Sequence, residues 1–330
     1  MGPETDNQNA DGNCLKQIRD VLLCESSAIQ SLANRLDSKV EASVQQLLNC
    51  QGRLIVTGMG KMGLIGRKAS ATFCSTGTPA IFLHPGEAVH GDLGIVTQQD
   101  VVLALSNSGE TDELISLLPY FSRLGISVIS LTGNPQSSLA RHATLNIDIS
   151  VDEEADPISL APTTSTTVAM AMCDALAVAL MHCRGFTKEQ FAIFHPGGHL
   201  GRKLLTQTRD VMHQGEAIPL ATTSDLLRQA MFTISQKRLG CVAVIDSKKQ
   251  LQGILTDGDL RRAFERTENP LEEPVSKHMT AKPASISVDS LAAQALHLMQ
   301  ERKITVLPVL DGDSLVGMVH LHDLLQMGLA

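Results

Sequence analysis

Short β-branched runs alternate with longer helical stretches between residues 53 and 151, and this alternation restricts the possible folds more than any other feature of the chain. The runs fall at residues 53–57, 80–83, 101–105, 128–131 and 145–151. The segments between them are long enough for crossover helices, which make neighbouring strands parallel. The pattern therefore predicts a three-layer α/β domain with a five-stranded parallel sheet, in which ligands bind at the carboxyl ends of the strands.

Helical patterns flank this region on both sides. Apolar residues from Leu15 to Leu47 mostly recur every three or four positions, which predicts an amphipathic helix or a helix pair. A long helix of small and apolar residues is predicted from about Thr166 to His182. We assign residues 1–12, which are polar, to a disordered tail and residues 13–205 to the α/β domain.

The rest of the chain repeats itself with a period of roughly 65 residues. Residues 253–260 (GILTDGDL) match residues 317–324 (GMVHLHDL). Because this period is longer than that of solenoid repeats, it indicates two copies of a small α+β domain. We place the copies at residues 210–270 and 277–330.

Composition narrows the functional classes. A formal net charge of −8 argues against a nucleic-acid surface, and the sequence has no helix-turn-helix pattern with a basic face. No apolar run approaches the ~20 residues needed to span a bilayer, and the N-terminus does not resemble a signal peptide, so we expect a cytoplasmic protein without a membrane partner. The seven scattered cysteines are typical of reduced thiols. An acidic chain that binds an anionic metabolite needs a local anion-binding device.

Residues 58–63 (GMGKMG) follow a predicted strand and begin a helix. They fit the Gly-x-Gly-x-x-Gly spacing of dinucleotide sites, but the acid expected about 20 residues later is missing, because the next strand ends in His84 and Pro85. Open backbone N–H groups, a helix N-terminus and the Lys61 ammonium suit an anion. The alternative is an ordinary solvated lysine.

Residues 106–111 (SNSGET) end an apolar strand and begin another helix. Their hydroxyls and backbone can surround a phosphate with donors without adding positive charge. Ordinary N-capping by Ser108 or Thr111 is the alternative, and capping is compatible with binding. The predicted phosphate-binding residues are Gly60, Ser106, Asn107, Ser108, Gly109 and Thr111.

Several phrases together resemble one enzyme family. They are GMGK at 58–61, HPGEAVHGDL at 84–93, SNSGE at 106–110, APTTSTT at 161–167 and HPGG at 195–198. The serine loop resembles that of sugar isomerase (SIS) domains, and the combined phrases are similar to arabinose-5-phosphate isomerases. The resemblance implies an aldose–ketose isomerase that interconverts D-ribulose 5-phosphate and D-arabinose 5-phosphate for Kdo and lipopolysaccharide synthesis in a Gram-negative bacterium. It also implies a homotetramer and no required cofactor.

The same resemblance implies catalytic positions at Lys61, His90, Glu113, Glu154 and His195. We expect Glu154 to act as a carboxylate base and His195 as the stronger general acid/base, with His90 orienting the substrate or sharing the proton work. Lys61 stabilises enediolate charge or contacts the phosphate, and Glu113 binds sugar hydroxyls. A solvated acidic loop at Glu154 and a helix-dipole role for Glu113 remain open.

The histidines also raise a zinc hypothesis. His84, His90, His195 and His199 are candidate ligands. Residues 196–198 (PGG) separate His195 from His199 and argue against a helical ligand pair. We therefore predict no metal site.

The two C-terminal copies resemble cystathionine-β-synthase-type (CBS) repeats over nearly all of residues 210–327. Thr256 and Asp259 match the hydroxyl and carboxylate with which such repeats hold ribose and phosphate, which implies a regulatory nucleotide site. In the second copy His320 replaces the hydroxyl residue and Asp323 remains, so nucleotide binding there is less supported. The ligand hypotheses are an adenine nucleotide or the activated sugar product downstream. A purely structural role in oligomerisation is equally open.

Two other functions share these features. One is a phosphosugar-sensing regulatory protein that binds without turnover, and the other is a paralogous isomerase of sugar-alcohol or capsule metabolism. The five candidate catalytic residues favour an enzyme over a sensor. The motifs do not separate the paralogues.

Overall fold

A computed structural model describes residues 10–158 and 160–329. The chain divides into two compact units between Thr187 and Lys188. Most of the predicted disordered tail, residues 1–9, lies outside the described residues, and residues 10–12 belong to the first helix. The predicted domain at 13–205 and the two repeat boundaries remain predictions.

The first unit alternates helices and strands. Its helices are α1 (Ala10–Asn34), α2 (Ser38–Leu48), α3 (Gly60–Ser75), α4 (Pro85–Ala88), α5 (Asp112–Ile115), α6 (Leu118–Arg123), α7 (Ser138–His142) and α8 (Thr164–Cys183). Its strands are β1 (Leu54–Gly58), β2 (Ala80–Leu83), β3 (Val101–Ser106), β4 (Ser127–Thr132) and β5 (Leu145–Asp148). The predicted helix pair is α1 and α2, and Asp37 caps the second helix by accepting a hydrogen bond from the Lys39 amide at 2.9 Å.

The five strands form one sheet in the order β2-β1-β3-β4-β5, and every neighbouring pair is parallel. The order reverses between β1 and β3, which places a topological switch point there. The loops after β1 and β3 therefore emerge side by side at one edge of the sheet. The predicted five-stranded parallel α/β fold is confirmed.

Apolar side chains cover both faces of the sheet. Val56 and Leu103 lie in one core with helices α2, α3 and α8, and Ile55 and Val102 lie in a second core with helices α5 and α6. All four side chains are fully buried. A parallel strand that is buried on both faces has no polar alternation, which explains the continuous apolar runs in the sequence.

Helix α8 corrects one inference from the sequence. It has 20 residues, and an 18-residue window within it has a mean hydropathy of 1.5, so by length and composition it is apolar enough to cross a membrane. The helix itself was predicted, but its membrane-spanning length and composition were overlooked because threonine, serine and aspartate interrupt its apolar run. Val168, Met172 and Leu176 of this helix are at most 3% exposed within the core, and a core helix passes the same length and composition test.

The second unit contains the repeats. Its helices are α9 (Lys188–Phe194), α10 (His199–Leu205), α11 (Leu227–Lys237), α12 (Asp257–Arg266), α13 (Ala292–Arg302) and α14 (Leu321–Gln326). Its strands are β6 (Leu220–Thr222), β7 (Cys241–Ile245), β8 (Leu251–Thr256), β9 (Thr280–Ala281), β10 (Ile286–Ser287), β11 (Val306–Asp311) and β12 (Ser314–His320). They form two mixed sheets, in the orders β6-β7-β8-β9 and β10-β11-β12.

The two halves of this unit follow the predicted period. Helices α11 and α13 begin at Leu227 and Ala292, and strands β7 and β11 begin at Cys241 and Val306, so both pairs start 65 residues apart. Helices α11 and α13 are each followed by a residue in the left-handed region, Arg238 with φ 59° and Lys303 with φ 55°. The predicted pair of α+β repeats is confirmed.

Candidate active site

A cavity of about 350 Å³ opens at the carboxyl ends of β1 and β3. This volume is in the range of small-molecule sites, and the position is where open α/β sheets bind ligands. Lys61 and most of the predicted serine loop line it. The lining residues are Met59, Lys61, Met62, Leu105, Ser106, Asn107, Ser108, Thr111, Pro162 and Thr166.

The N-terminus of α3 provides the positive side of this cavity. Gly60 begins the helix with φ 56°, a left-handed conformation that favours glycine, and no side chain caps the helix at Met59. The first N–H groups of a 16-residue helix therefore carry partial positive charge without a side-chain acceptor. Lys61 is exposed and adds a full charge at the same place.

The serine loop holds its own shape through hydroxyl groups. The buried Ser106 Oγ accepts a hydrogen bond from the Gly109 amide at 3.0 Å and lies 2.9 Å from Thr111 Oγ1. Because one hydroxyl of that pair donates to the other, one hydroxyl proton remains for a ligand. Ser108 Oγ accepts a hydrogen bond from the Glu110 amide at 3.2 Å. The hydroxyl proton of Ser108 is therefore also available for a ligand.

Gly109 fixes the loop against the segment that begins α7. Its φ is 67°, and a Cβ at this position would lie 2.0 Å from Ser137 Oγ. Its carbonyl accepts from the Leu139 amide at 3.1 Å, and the Glu110 carboxylate accepts from the Ser138 amide at 2.7 Å. These contacts explain why a glycine stands in the middle of the phosphate-binding motif.

Glu154 lies at the start of α8 and caps it. Oε2 accepts from the amide of Thr163 at 2.8 Å, from its hydroxyl at 3.2 Å and from the Ser165 amide at 3.2 Å, and Oε1 accepts from the Ser165 hydroxyl. Burial raises the pKa of Glu154, but the hydrogen bonds from Ser165 and Thr163 outweigh it, so the net pKa lies below the ordinary value. The carboxylate does not line the cavity, whereas Pro162 and Thr166 beside its partners do.

His90 and Glu113 stand apart from the cavity described above. His90 follows α4 and donates its amide to the Glu87 carbonyl at 3.0 Å, and Glu113 lies in the first turn of α5. Both side chains are exposed, and neither is among the residues that line the cavity. Their catalytic roles remain predictions.

His195 lies in the second unit, directly after α9. Its ring stacks on Phe191 with centroids 4.0 Å apart, and Nδ1 is 3.0 Å from the Phe191 carbonyl oxygen. Because a carbonyl only accepts, Nδ1 carries the proton and the neutral ring has its lone pair on Nε2. This is the tautomer that a proton acceptor needs at Nε2. His199, the other member of the zinc hypothesis, begins α10, and no group of three or more metal-ligating side chains occurs among the described residues.

Contacts of α1 and the residue after it with Ser150 and the start of α8 were not foreseen. Arg35 donates to the Ser150 carbonyl, and Cys24 Sγ is 3.6 Å from Thr164 Oγ1. The two contacts join the C-terminal part of α1 and the following turn to the two sides of the segment that carries Glu154. No sequence motif indicates them, because the partners are more than one hundred residues apart. In contrast, Thr166, which lines the cavity, lies in the APTTSTT phrase, so the sequence did point to this segment.

A second cavity, of about 620 Å³, lies within the CBS repeats. The predicted Thr256 and Asp259 both line it, and Thr256 Oγ1 donates to Asp259 Oδ2 at 2.7 Å. Three cationic side chains that the sequence analysis did not single out line it as well: Arg262, Arg302 and Lys303.

The comparisons with known proteins agree with this geometry. The SIS domain matches residues 47–179, and the CBS domain matches residues 209–266 and 275–329. Among solved structures, Escherichia coli CFT073 c3406 in complex with arabinose 5-phosphate is 41% identical, with a TM-score of 0.55 over 56% of this chain and 99% of that chain. A putative sugar-phosphate isomerase from Listeria monocytogenes is 34% identical, with a TM-score of 0.55 over 58% of this chain and all of that one.

Curated relatives extend the similarity over nearly the whole chain. Arabinose 5-phosphate isomerase KdsD of Escherichia coli O157:H7 is 47% identical over 94% of each chain. The enzyme of that name from Pseudomonas aeruginosa is 48% identical over 92% of this chain and 94% of its own. The chain therefore belongs to the arabinose 5-phosphate isomerase family and combines a SIS domain with two CBS domains.

Proposed function

We propose that this chain is an arabinose-5-phosphate isomerase, which interconverts D-ribulose 5-phosphate and D-arabinose 5-phosphate. The cavity at the ends of β1 and β3 carries the proposal, because it joins an uncapped helix N-terminus, Lys61 and the serine loop. These groups suit a phosphorylated sugar. The relatives named as arabinose 5-phosphate isomerases and the relative solved with arabinose 5-phosphate support this substrate.

Binding of the phosphate group positions the opposite, reacting end of the sugar. The Ser108 hydroxyl, one hydroxyl of the Ser106–Thr111 pair and the N-terminus of α3 donate to the phosphate, and Lys61 neutralises charge. Holding the phosphate restricts the open-chain sugar and lowers the entropic cost of proton transfer at its other end. The loop needs no rearrangement to do this, because its internal hydrogen bonds already fix it.

The chemistry at the other end is a proton transfer between two carbons. A base removes the proton from C2 of the aldose to give an enediol, and the proton returns at C1 while an acid moves a proton from O2 to O1. His195 is the candidate for one of these proton transfers, since its neutral tautomer has a basic Nε2. Glu154 is the candidate carboxylate base, and Oε1, which accepts one hydrogen bond from Ser165, keeps a lone pair for a proton. We propose that no cofactor is required.

The direct test is incubation of the purified chain with arabinose 5-phosphate and chemical detection of the ketose product. We expect ribulose 5-phosphate to accumulate to a fixed ratio. Calorimetric titration with the same sugar at low temperature serves as the control for binding. Binding without conversion would mean that the chain is a phosphosugar sensor rather than an enzyme.

We also propose that the cavity within the CBS repeats binds a regulatory nucleotide. Thr256 and Asp259 are placed to bind ribose hydroxyls, and Arg262, Arg302 and Lys303 suit phosphate groups. Isomerase rates measured with and without millimolar ATP, ADP and AMP test this proposal. Identical rates and no detectable binding would leave the repeats with a structural role only.

The biological setting follows as a further part of the proposal. We propose a cytoplasmic homotetramer that supplies Kdo and lipopolysaccharide synthesis. The KdsD relatives support this pathway. A capsule-related role is a second candidate, because a putative phosphosugar isomerase involved in capsule formation from Bacteroides fragilis is 36% identical with a TM-score of 0.53. Growth of a Kdo-requiring strain complemented with this chain distinguishes the two.

A further inference from the structure

The two CBS repeats place different side chains at one equivalent backbone position. In the first repeat, Ile254 of β8 pairs with Thr280 in an antiparallel register. In the second, Met318 of β12 pairs with His213, again antiparallel, through hydrogen bonds of 2.8 and 3.1 Å between their backbones. Since Ile254 and Met318 are equivalent in the repeat, His213 occupies beside β12 the place that Thr280, from the other copy, occupies beside β8.

Two glycines confirm this equivalence independently of the hydrogen bonds. A Cβ on Gly253 would lie 3.0 Å from the carbonyl oxygen of Thr280, and a Cβ on Gly317 would lie 3.0 Å from that of His213. In each case a methionine sulfur is the other close neighbour, at 2.6 Å for Gly253 and 2.4 Å for Gly317. The strand that contains the glycine therefore approaches its paired segment in the same way in both repeats.

The first repeat leaves its site open. Thr280 lines the cavity of about 620 Å³ together with Asp259, whose buried carboxylate accepts from the Thr256 amide and hydroxyl rather than from residue 280. Arg262 and Arg302 line the same cavity, and Arg262 forms an ion pair with Asp259. A cavity with two guanidinium groups and a carboxylate suits a nucleotide, whose phosphates and ribose hydroxyls need both kinds of partner.

At the equivalent site on β12, a residue from the start of the first copy contacts the carboxylate. The His213 ring reaches the equivalent carboxylate, with Nε2 2.8 Å from Asp323 Oδ2, and both side chains are 34% exposed. His320 replaces the hydroxyl residue Thr256 at the same site.

Two of the three cations of the first site have no free counterpart, whereas Lys303 has Arg238, which lines an open cavity with His320. Lys237, which is equivalent to Arg302, donates to the Glu216 carbonyl. Gln326 stands where the first repeat has Arg262. The second site therefore has its carboxylate and one of its cations already hydrogen-bonded within the chain.

We propose that His213 plugs the second site and that the CBS pair consequently binds one nucleotide per chain, in the cavity of the first repeat. The proposal rests on the nucleotide site proposed above and adds its stoichiometry and the residue that sets it. The imidazole occupies the space over Asp323 and donates to the oxygen that a ribose hydroxyl needs. A threonine at this position, as in the first repeat, removes both obstacles.

The test is the number of ATP molecules bound per full-length chain, measured by equilibrium dialysis with radiolabelled ATP. His213→Thr gives the second repeat the residue that the first repeat carries, and we expect it to bind one more ATP than the unmodified chain. His213→Gln is the matched control, because its amide still reaches and donates to Asp323, and we expect no additional ATP. Circular dichroism and isomerase rates verify that both variants are folded.

The comparison is between variants, so it remains informative whatever the unmodified chain binds. An unchanged number of sites in His213→Thr, or two sites in the unmodified chain, overturns the plug. An unmodified chain that binds no ATP contradicts the regulatory site proposed above, whereas one ATP gained by His213→Thr still supports the plug. The reciprocal change, Thr280→His, tests the same idea from the other repeat, since it places an imidazole over Asp259 and should remove one bound ATP.

Discussion

Replacing Glu154 separates its observed role as a cap from its proposed role as a base. As the cap of α8 it accepts four hydrogen bonds from Thr163 and Ser165, and as a candidate base it accepts a proton from the sugar. Glu154→Ala removes both functions. Glu154→Gln keeps the cap, because its amide oxygen can take the place of Oε2 and its NH₂ group can donate to the Ser165 hydroxyl.

The expected magnitudes differ accordingly. Loss of a cap costs up to about 2 kcal/mol, and leaving the buried Ser165 without its acceptor adds about 1 kcal/mol, so Glu154→Ala should lower the free energy of unfolding by about 3 kcal/mol. For a unit of this size that corresponds to a melting temperature lower by about 6–12 °C. Glu154→Gln should lose about 1 kcal/mol or less, because charged hydrogen bonds become neutral ones.

The assays are thermal unfolding and turnover of arabinose 5-phosphate on the same samples. We expect Glu154→Ala to lose stability and turnover and Glu154→Gln to lose turnover alone. Since the folded pKa of Glu154 lies below its ordinary value of 4.5, the charge stabilises the fold above pH 4.5 and ceases to do so as the pH falls through the folded pKa. Full turnover in Glu154→Gln would refute the base, and unchanged stability in Glu154→Ala would refute the cap.

Three further changes test other parts of the site. Lys61→Met should raise the KM for the phosphosugar about tenfold or more, because a charge-assisted hydrogen bond is lost, and Lys68→Met on the same helix should not, since Lys68 pairs with Asp174 near the surface. Gly109→Ala should cost at least about 1 kcal/mol and weaken substrate binding, because its φ of 67° is strained for alanine, and a normal KM would contradict this. Burial raises the pKa of the Cys173 thiol to about 12, so this thiol should stay unmodified by Ellman's reagent at pH 8 until the protein unfolds, and labelling of the native chain at Cys173 would refute it.

The strands could be predicted because their physical cause is local. A strand buried on both faces is a continuous apolar run, and the run predicted at residues 101–105 is the strand Val101–Ser106. The serine loop could be placed for the same reason, since it follows that strand directly. The repeats were visible because both copies keep the same order of apolar and turn residues.

Contacts between distant residues could not be predicted in this way. Glu154 sits in an acidic run that resembles a solvated loop, and its role as a cap depends on a chain reversal that brings Thr163 and Ser165 back to it. His213 and Asp323 are 110 residues apart, and the pairing of β12 with the start of the first repeat brings them together. A single sequence contains no signal for such pairs.

The central claim is that this chain isomerises arabinose 5-phosphate, and nuclear magnetic resonance with substrate labelled with ¹³C at C2 tests it most directly. We predict that the purified chain converts the C2 carbinol signal into a ketone signal. We also predict that labelled ribulose 5-phosphate reaches the same final ratio from the opposite direction. A C2 signal that stays unchanged while the sugar still binds would contradict the claim.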